Sequence, residues 1–437
     1  MATAGIIAAP QIIPASAIGK GKRPAPSDRI VMAIIGAGSM GTGDLRSLMS
    51  DTAVQYVAAC DVDRNHREKA VERINEHYGT QGARCYEDFR EMFEKESLDA
   101  INIAIPDHWH AIITCAAANK GLHMYGQKPL CRYLREGRAI VNTVKKNDVV
   151  FQTGSQQRSL PMFIKACNIV KNGDLGKIEK IEIGLPDGKK SGVGMPDVQP
   201  VPDGVNWDMW LGPAKKVPFR GVLHWNWRWI LDYSGGQLTD WAGHHIDIAL
   251  WSMGLSHSGP TEIQGVGRAL ENDLYDTPVA YDINYKFANG LNMRVANVSA
   301  YKDRKGGLEN RRNGRGNFPG DMGVVWYGEK GWLCVDRSGI WAENPELLKK
   351  EYSAKETIYD TMGLNHYQNF IDCVRTGRPN ICPAEDGHRS ISMGLLGEIA
   401  MTTGETLHWD PKKELFINAS EKATEMLSPH YRGNWKL

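Results

Sequence analysis

A doubly wound parallel α/β sheet, followed by an α+β domain with an open, mainly antiparallel sheet, is the fold this sequence predicts. Three observations carry it. Ile30 to Ile35 is an unbroken apolar run, the pattern of a strand buried on both faces. From there to about Val150, apolar runs alternate with charged, helix-periodic stretches, the rhythm of βα units. Beyond Phe151 apolar and polar positions alternate singly, as in Ile178 to Ile183, which suits strands with one face on a core.

The first strand runs directly into Gly36-Ala37-Gly38-Ser39-Met40-Gly41, and Asp44 to Met49 reads as the start of a helix. So sharp a strand-to-helix turn needs glycine. It also lets a diphosphate approach bare backbone, where unpaired N–H groups and the helix dipole would hold it. The next apolar run, Val54 to Cys60, ends on Asp61, about 20 residues past the last glycine, where the dinucleotide pattern places an acid for the adenosine ribose. A Rossmann domain with a dinucleotide site on Gly36, Gly38, Ser39, Met40, Gly41 and Asp61 is expected. Asp61 favours NAD over NADP, because a carboxylate accepts from a free 2′-hydroxyl and repels a 2′-phosphate. Arg64 is either a further cofactor contact that softens this preference or a solvated helix residue.

Along the first domain, Asn65 to His77 and Tyr86 to Lys95 read as surface helices and Ala100 to Ile105 as a buried strand. Ile112 to Asn119 is a helix closed near Gly121. Leu122 to Tyr125 is a strand, Arg135 to Lys146 a helix and Val149 to Gln152 a last strand. A chain of 437 residues exceeds one ordinary core, so residues 29–150 form the nucleotide domain and 151–437 a substrate-binding domain. In the latter, Met162 to Val170, His366 to Arg375 and Arg389 to Thr402 read as helices. Ala280 to Phe287, Leu291 to Val298 and Gly323 to Tyr327 read as strands. The basic loop Lys302 to Arg315 is a solvated tip, an anion site or a subunit contact.

Residues 1–28 stand apart. Met1 to Gly19 is small, apolar and uncharged, and holds Ala15-Ser16-Ala17, an A-x-A cleavage pattern, but no basic n-region. It reads as the remainder of a trimmed twin-arginine export signal, hence an exported or periplasmic protein, or as an N-terminal arm, which would fit a cytoplasmic one. Lys20 to Ser27 is a Pro-rich linker. A net charge of +1 gives no reason to expect a nucleic acid, and no run of 18 apolar residues suggests a membrane span. The eight scattered cysteines, without Cys-x-x-Cys, look like buried hydrophobes rather than a disulfide or zinc framework.

Three clusters can carry chemistry. Pro106-Asp107-His108-Trp109-His110 follows one strand and Gly126-Gln127-Lys128-Pro129 the next. The third, Gly235-Gly236-Gln237-Leu238-Thr239-Asp240-Trp241-Ala242-Gly243-His244-His245-Ile246-Asp247, is glycine-rich and then helical. On a regular helix Asp240, His244 and Asp247 share a face. A carboxylate beside an imidazole favours the protonated ring and fixes its tautomer, which suits a base that takes a hydroxyl proton. Lys128, at the mouth of the nucleotide site, is placed to bind a substrate oxygen and stabilise alkoxide character. His245 is a substrate contact or a structural residue. Seven tryptophans between 207 and 251 supply rigid aromatic faces that suit the C–H face of a sugar, though most belong to a core. Trp109 and Trp227 are the pocket candidates, with Arg158 and Arg228 as polar contacts.

These motifs resemble the Gfo/Idh/MocA oxidoreductase family, which includes glucose–fructose oxidoreductase and inositol dehydrogenase, over nearly the whole chain from Asp28. The resemblance makes Lys128 the catalytic lysine and Asp240 and His244 the catalytic pair. It puts His110 in the place of the family's proximal histidine, with Pro106 and His108 beside it on the cofactor side. Where the family signature reads Glu-Lys-Pro, this sequence reads Gln127-Lys128-Pro129. The amide still suits a hydrogen bond to the nicotinamide ribose but removes a charge beside Lys128. The resemblance implies NAD-dependent hydride transfer at a hydroxyl of a sugar or sugar-like polyol, by a homo-oligomer (dimer or tetramer). An alternative within the family is a glycosidase with tightly bound NAD that oxidises, eliminates, adds water and reduces back. A metal-dependent hydrolase using His108, His110, His244, His245 and Asp247, or a non-catalytic nucleotide sensor, are lesser readings.

Overall fold

The computed structural model describes residues 24–25, 28–221, 224–297 and 322–437. Met1 to Gly19, most of the linker and the basic loop Lys302 to Arg315 lie outside the described residues.

The first sheet is parallel and built from β1 (Ile30–Ile35), β2 (Val54–Cys60), β3 (Arg84–Tyr86), β4 (Ala100–Ile103), β5 (His123–Gly126) and β6 (Phe151–Thr153). Between them run α1 (Ser39–Met49), α2 (Arg64–Tyr78), α3 (Phe89–Lys95), α4 (Asp107–Asn119) and α5 (Leu134–Lys146). The strand order is β3-β2-β1-β4-β5-β6, so chain direction across the sheet reverses between β1 and β4 and leaves a crevice at their carboxyl ends. Side chains of β1 alternate between two apolar layers. Met32 and Ile34 pack with Leu45 and Leu48 of α1 and Ile74 of α2, whereas Ala33 and Ile35 lie in the layer of Phe89 and Ile112. Burial on both faces is why the run is apolar throughout.

The structure adds β3, too short to register as an apolar run, and starts α4 at Asp107 rather than Ile112. Pro106 forms its N-cap with φ −61°, so His108, Trp109 and His110 occupy a first helical turn rather than a loop.

The second sheet has nine strands in the order β13-β12-β11-β7-β10-β9-β8-β14-β15. They are β7 (Ile178–Leu185), β8 (Glu262–Arg268), β9 (Ala280–Lys286), β10 (Asn292–Asn297), β11 (Gly323–Gly328), β12 (Gly331–Val335), β13 (Ile340–Ala342), β14 (Leu407–Asp410) and β15 (Leu415–Asn418). Only β7 and β10 pair in parallel. Its helices are α6 (Pro161–Lys171), α7 (Trp207–Leu211), α8 (Gly236–Trp241), α9 (Asp247–Ser252), α10 (His366–Thr376), α11 (Ala384–Thr403) and α12 (Glu421–Glu425).

Helix α11 lies between α5 and β8, and its Leu396 and Ile399 share one apolar core with Ile140 of the first domain and Ile263 and Ile283 of the second. Helix α10 instead packs Phe370 and Ile371 against the α1 side of the first sheet. Chain from the second half thus finishes the nucleotide domain. Between α8 and α9 the chain makes a π-turn over Ala242–Ile246. The extra residue in that turn rotates everything after Trp241 relative to a regular helix.

Among the described residues no helix is long and apolar enough to cross a membrane, and all eight cysteines are unpaired, seven of them buried.

Candidate active site

The crevice at the carboxyl ends of β1, β2, β4 and β5 holds a cavity of about 340 Å³, closed on its far side by Val205, Met209, Trp210, Trp225, Trp227 and Arg228. Gly36, Gly38, Ser39, Met40, Asp61, Pro106, Trp109, Gln127, Lys128, Trp227 and Arg228 line it.

The glycines divide the work. Gly36 has φ +86°, and a Cβ there would sit 2.2 Å from the Ala104 carbonyl oxygen, so only glycine makes this turn. Gly41 does not reach the cavity: its Cβ would lie 1.9 Å from the Gly36 oxygen, which makes it the seat of α1 on the turn rather than a cofactor contact. Gly38, at the N-cap of α1, meets nothing nearer than His66 at 4.0 Å, and no acid occupies the helix's first turn. Its backbone is open to the cavity and its helix end is uncompensated, which fits a diphosphate.

Asp61 is tied to the same turn, its Oδ2 accepting from the Ala37 N–H at 2.7 Å and its Oδ1 from the Asp63 N–H at 2.9 Å. Arg64 is not in the cavity. Its backbone N–H donates to Gly204 at 2.9 Å and its side chain lies over that glycine. Because α2 begins at Arg64, it is His66 that turns inward. Its Nδ1 is 3.5 Å from Asp61, a pairing that raises the imidazole above its ordinary range. His66, Glu87 and Phe89 complete this end of the cavity, and none was legible as a site residue.

At the other end, Lys128 Nζ donates to Asp240 Oδ1 at 2.8 Å with both side chains nearly buried. A Cβ on Gly243 would be 2.9 Å from the Lys128 Cβ, so the π-turn glycine leaves the lysine its room. Arg228 stacks on Trp225 and Trp227, 3.8 and 4.4 Å from their ring centres, and its Nε lies 3.4 Å from Asp240. Burial alone would raise Asp240, but Lys128 and Arg228 hold it below the usual carboxylate range.

The structure corrects the expected Asp240–His244 pairing. The carboxylate turns to Lys128 and Arg228, the π-turn having broken the shared face. His244 is buried with Nδ1 unpartnered, its ring edge-on to Trp241. Burial, then the charges of Lys128 and Arg337, push it well below the ordinary imidazole range, so it is neutral rather than protonated.

Three further expectations, for Arg158, His108 and His110, are corrected, and the open reading of His245 is decided for a structural residue. Arg158 is no substrate contact: it is fully buried, its Nε and Nη2 donating to Asp247 at 2.6 and 2.7 Å and its Nη1 to Asp386. His245 is likewise buried, stacked on Phe163 with Nδ1 3.1 Å from Gln157. His108 and His110, in the first turn of α4, use Nε2 on the carbonyls of Trp210 (3.2 Å) and Ile105 (2.9 Å), and burial pushes both down to about 4. Neither lines the cavity. These histidines therefore serve separate partners, and among the described residues no His, Cys, Asp or Glu group is arranged to hold a metal. Trp109 does line the cavity, its Nε1 donating to the Trp210 carbonyl at 2.9 Å.

Two buried acids to which the sequence assigned no role of their own stand at the site. Asp107, within reach of the charges of Arg228, Asp240 and Lys128, is pushed up to about 7 by burial. Asp44 on α1, also pushed up to about 7 by burial, accepts from Gln127.

Compared with known proteins, residues 30–155 match the model of an oxidoreductase family's NAD-binding Rossmann fold. Residues 165–305 and 355–437 match that family's C-terminal alpha/beta domain. The chain is 25% identical over 372 residues to myo-inositol 2-dehydrogenase of Thermotoga maritima, covering 83% of this chain and 93% of that protein. It is 22% identical over 388 residues to the NAD(+)-dependent scyllo-inositol 2-dehydrogenase of Bacillus subtilis, covering 87% and 96%. Among solved structures, GenD2 from gentamicin A biosynthesis, in complex with NAD, superposes with a TM-score of 0.61 at 16% identity, over 90% of this chain and 97% of that one. The myo-inositol 2-dehydrogenase of Lactobacillus plantarum does so with a TM-score of 0.56 at 20% identity, over 87% and 99%. These structural likenesses concern the fold.

Proposed function

The chain belongs to the Gfo/Idh/MocA oxidoreductase family, and from that premise we propose that it transfers hydride between NAD and a hydroxyl-bearing carbon of a sugar or sugar-like polyol. The observation that carries the reading is the Lys128–Asp240 pair at 2.8 Å, whose lysine lines the cavity at the end opposite Asp61. The polyol substrates named for the inositol dehydrogenases it resembles support the substrate class.

A bound nicotinamide supplies the hydride acceptor. Lys128 presents an ammonium to the substrate oxygen, and Asp240 orients that ammonium while offsetting the nearby Arg228 charge. His244, which the family resemblance makes the catalytic histidine and which burial holds neutral just behind the lining residues, is assigned the hydroxyl proton as the carbinol carbon gives up its hydrogen with the electron pair, leaving a carbonyl. Trp109 and Trp227 offer apolar faces beside this position.

NAD is preferred to NADP because the Asp61 carboxylate lines the adenosine end and Arg64 does not. Among the described residues lining the cavity His66 is the imidazole able to temper this, and its pairing with Asp61 directs its charge there.

The test is a steady-state panel of inositols and hexoses with each coenzyme. NADH formation from at least one, with NADP slower by about tenfold or more, is expected. Reduction of neither coenzyme by any polyol or sugar would overturn the reading, and a preference for NADP would overturn the assignment of Asp61.

A further inference from the structure

Gln127 is a buried amide with its two ends in different company. Its Nε2 donates to both oxygens of Asp44, at 3.0 and 2.9 Å, while Oε1 has no partner although the residue lines the cavity. The rest of the residue is fixed. Its backbone N–H donates to Ile103 at 2.9 Å, and a Cβ on Gly154 would lie only 2.9 Å from the Gln127 Cδ. Asp44 is itself fully buried and accepts a further hydrogen bond from the Tyr367 hydroxyl at 3.0 Å.

An amide can present a donor or an acceptor with nearly the same shape, and what decides is which end is pinned. Both Asp44 oxygens accept from the NH2 end; burial pushes the acid up to about 7 while the hydrogen bonds from Gln127 and Tyr367 favour its acceptor-only ionised form, and the C=O end is left buried without a partner. A glutamate at position 127 would also present an acceptor there, but two carboxylates would then face each other in a buried place. Placing the acid at 44 and the amide at 127 leaves an unpartnered acceptor on a residue of the cavity wall without that repulsion.

We propose that Asp44 is a positioning residue of the cofactor site: by holding the Gln127 amide it makes Oε1 an acceptor for an N–H or O–H of the nicotinamide half of the nucleotide. The inference rests on the functional reading above, and it is tested by binding rather than turnover.

NADH binding to the full chain is followed by fluorescence titration alongside thermal melting for Asp44→Asn, Gln127→Glu and the double exchange. Asp44→Asn, which frees the amide to flip, weakens NADH by about tenfold. Gln127→Glu weakens it too and lowers the melting temperature, because two buried acids meet. The double exchange regains binding to within about threefold, since the amide now at position 44 donates to an acceptor-only carboxylate at position 127. A merely structural role would move the melting temperature without this rescue. Asp44→Asn binding as tightly as wild type, or a double exchange no better than Gln127→Glu, overturns the proposal alone. Wild-type protein that binds neither NADH nor NADPH overturns the functional reading and this inference with it.

Discussion

Replacing Gly38 by alanine should separate cofactor binding from folding. Gly38 has φ −67° and ψ −165°, which alanine adopts without strain, and the nearest atom to its new methyl would be His66 Cε1 at 4.0 Å. Loss of a glycine N-cap costs folding about 0.5–1 kcal/mol. The methyl nevertheless stands where a diphosphate must approach the N-terminus of α1. Each charge-assisted N–H bond lost there is worth about 1.5–3 kcal/mol, so NADH affinity should fall by about 10- to 100-fold. Gly41→Ala is the opposite case: its Cβ would lie 1.9 Å from the Gly36 oxygen, and overpacking of that kind costs about 1–3 kcal/mol or more. That variant should lose thermal stability first. Fluorescence titration with NADH and thermal melting of both variants decide the matter. Gly38→Ala binding NADH like wild type, or Gly41→Ala melting with wild type, would refute the division of roles among the glycines.

Arg158→Met should destabilise the protein by about 3–5 kcal/mol in denaturant unfolding, because it strands Asp247 and Asp386 in the core. A stable variant with raised KM would instead restore Arg158 to the substrate. Burial would raise Glu385, but Arg138 and Arg389 hold it down to about 2, and Glu414 in the same network is lowered further. Folded pKa values below the ordinary 4.5 mean this stability is present above about pH 4.5 and lost as pH falls toward 2. The melting temperature should decline over that window, and Glu385→Gln should flatten the decline. Asp61→Ser should raise kcat/KM for NADP relative to NAD by about tenfold, and an unchanged ratio would free Asp61 of the cofactor choice.

Much of the first domain was legible because a strand buried on both faces must be apolar along its whole length, as Ile30 to Ile35 and Val54 to Cys60 are. β3 was not, since Arg84–Tyr86 is three residues long and two of them are exposed. The lysine and aspartate of the site were legible as motifs, yet their partners were not. Asp240 belongs to Lys128 and Arg228 because of a π-turn, and the sequence Ala242-Gly243-His244-His245-Ile246 reads the same for a regular helix. Arg158 looked available because Asp386 stands 228 residues away. Gln127 looked like a lost charge because Asp44 lies 83 residues earlier, on a helix where an isolated acid resembles a surface position. Close pairings between distant residues are set by packing, and periodicity carries no trace of them.

Hydride transfer itself is tested most directly with a polyol deuterated at its carbinol carbon, by mass analysis of the nicotinamide recovered after incubation with NAD. Deuterium should appear in the NADH formed by wild-type protein. The rate should fall by about 100-fold or more in Lys128→Met, with NADH binding little changed, since the lysine acts on the substrate oxygen. Deuterium that never reaches the coenzyme from any inositol or sugar, or a Lys128→Met variant that transfers it at the wild-type rate, would contradict the proposed hydride transfer.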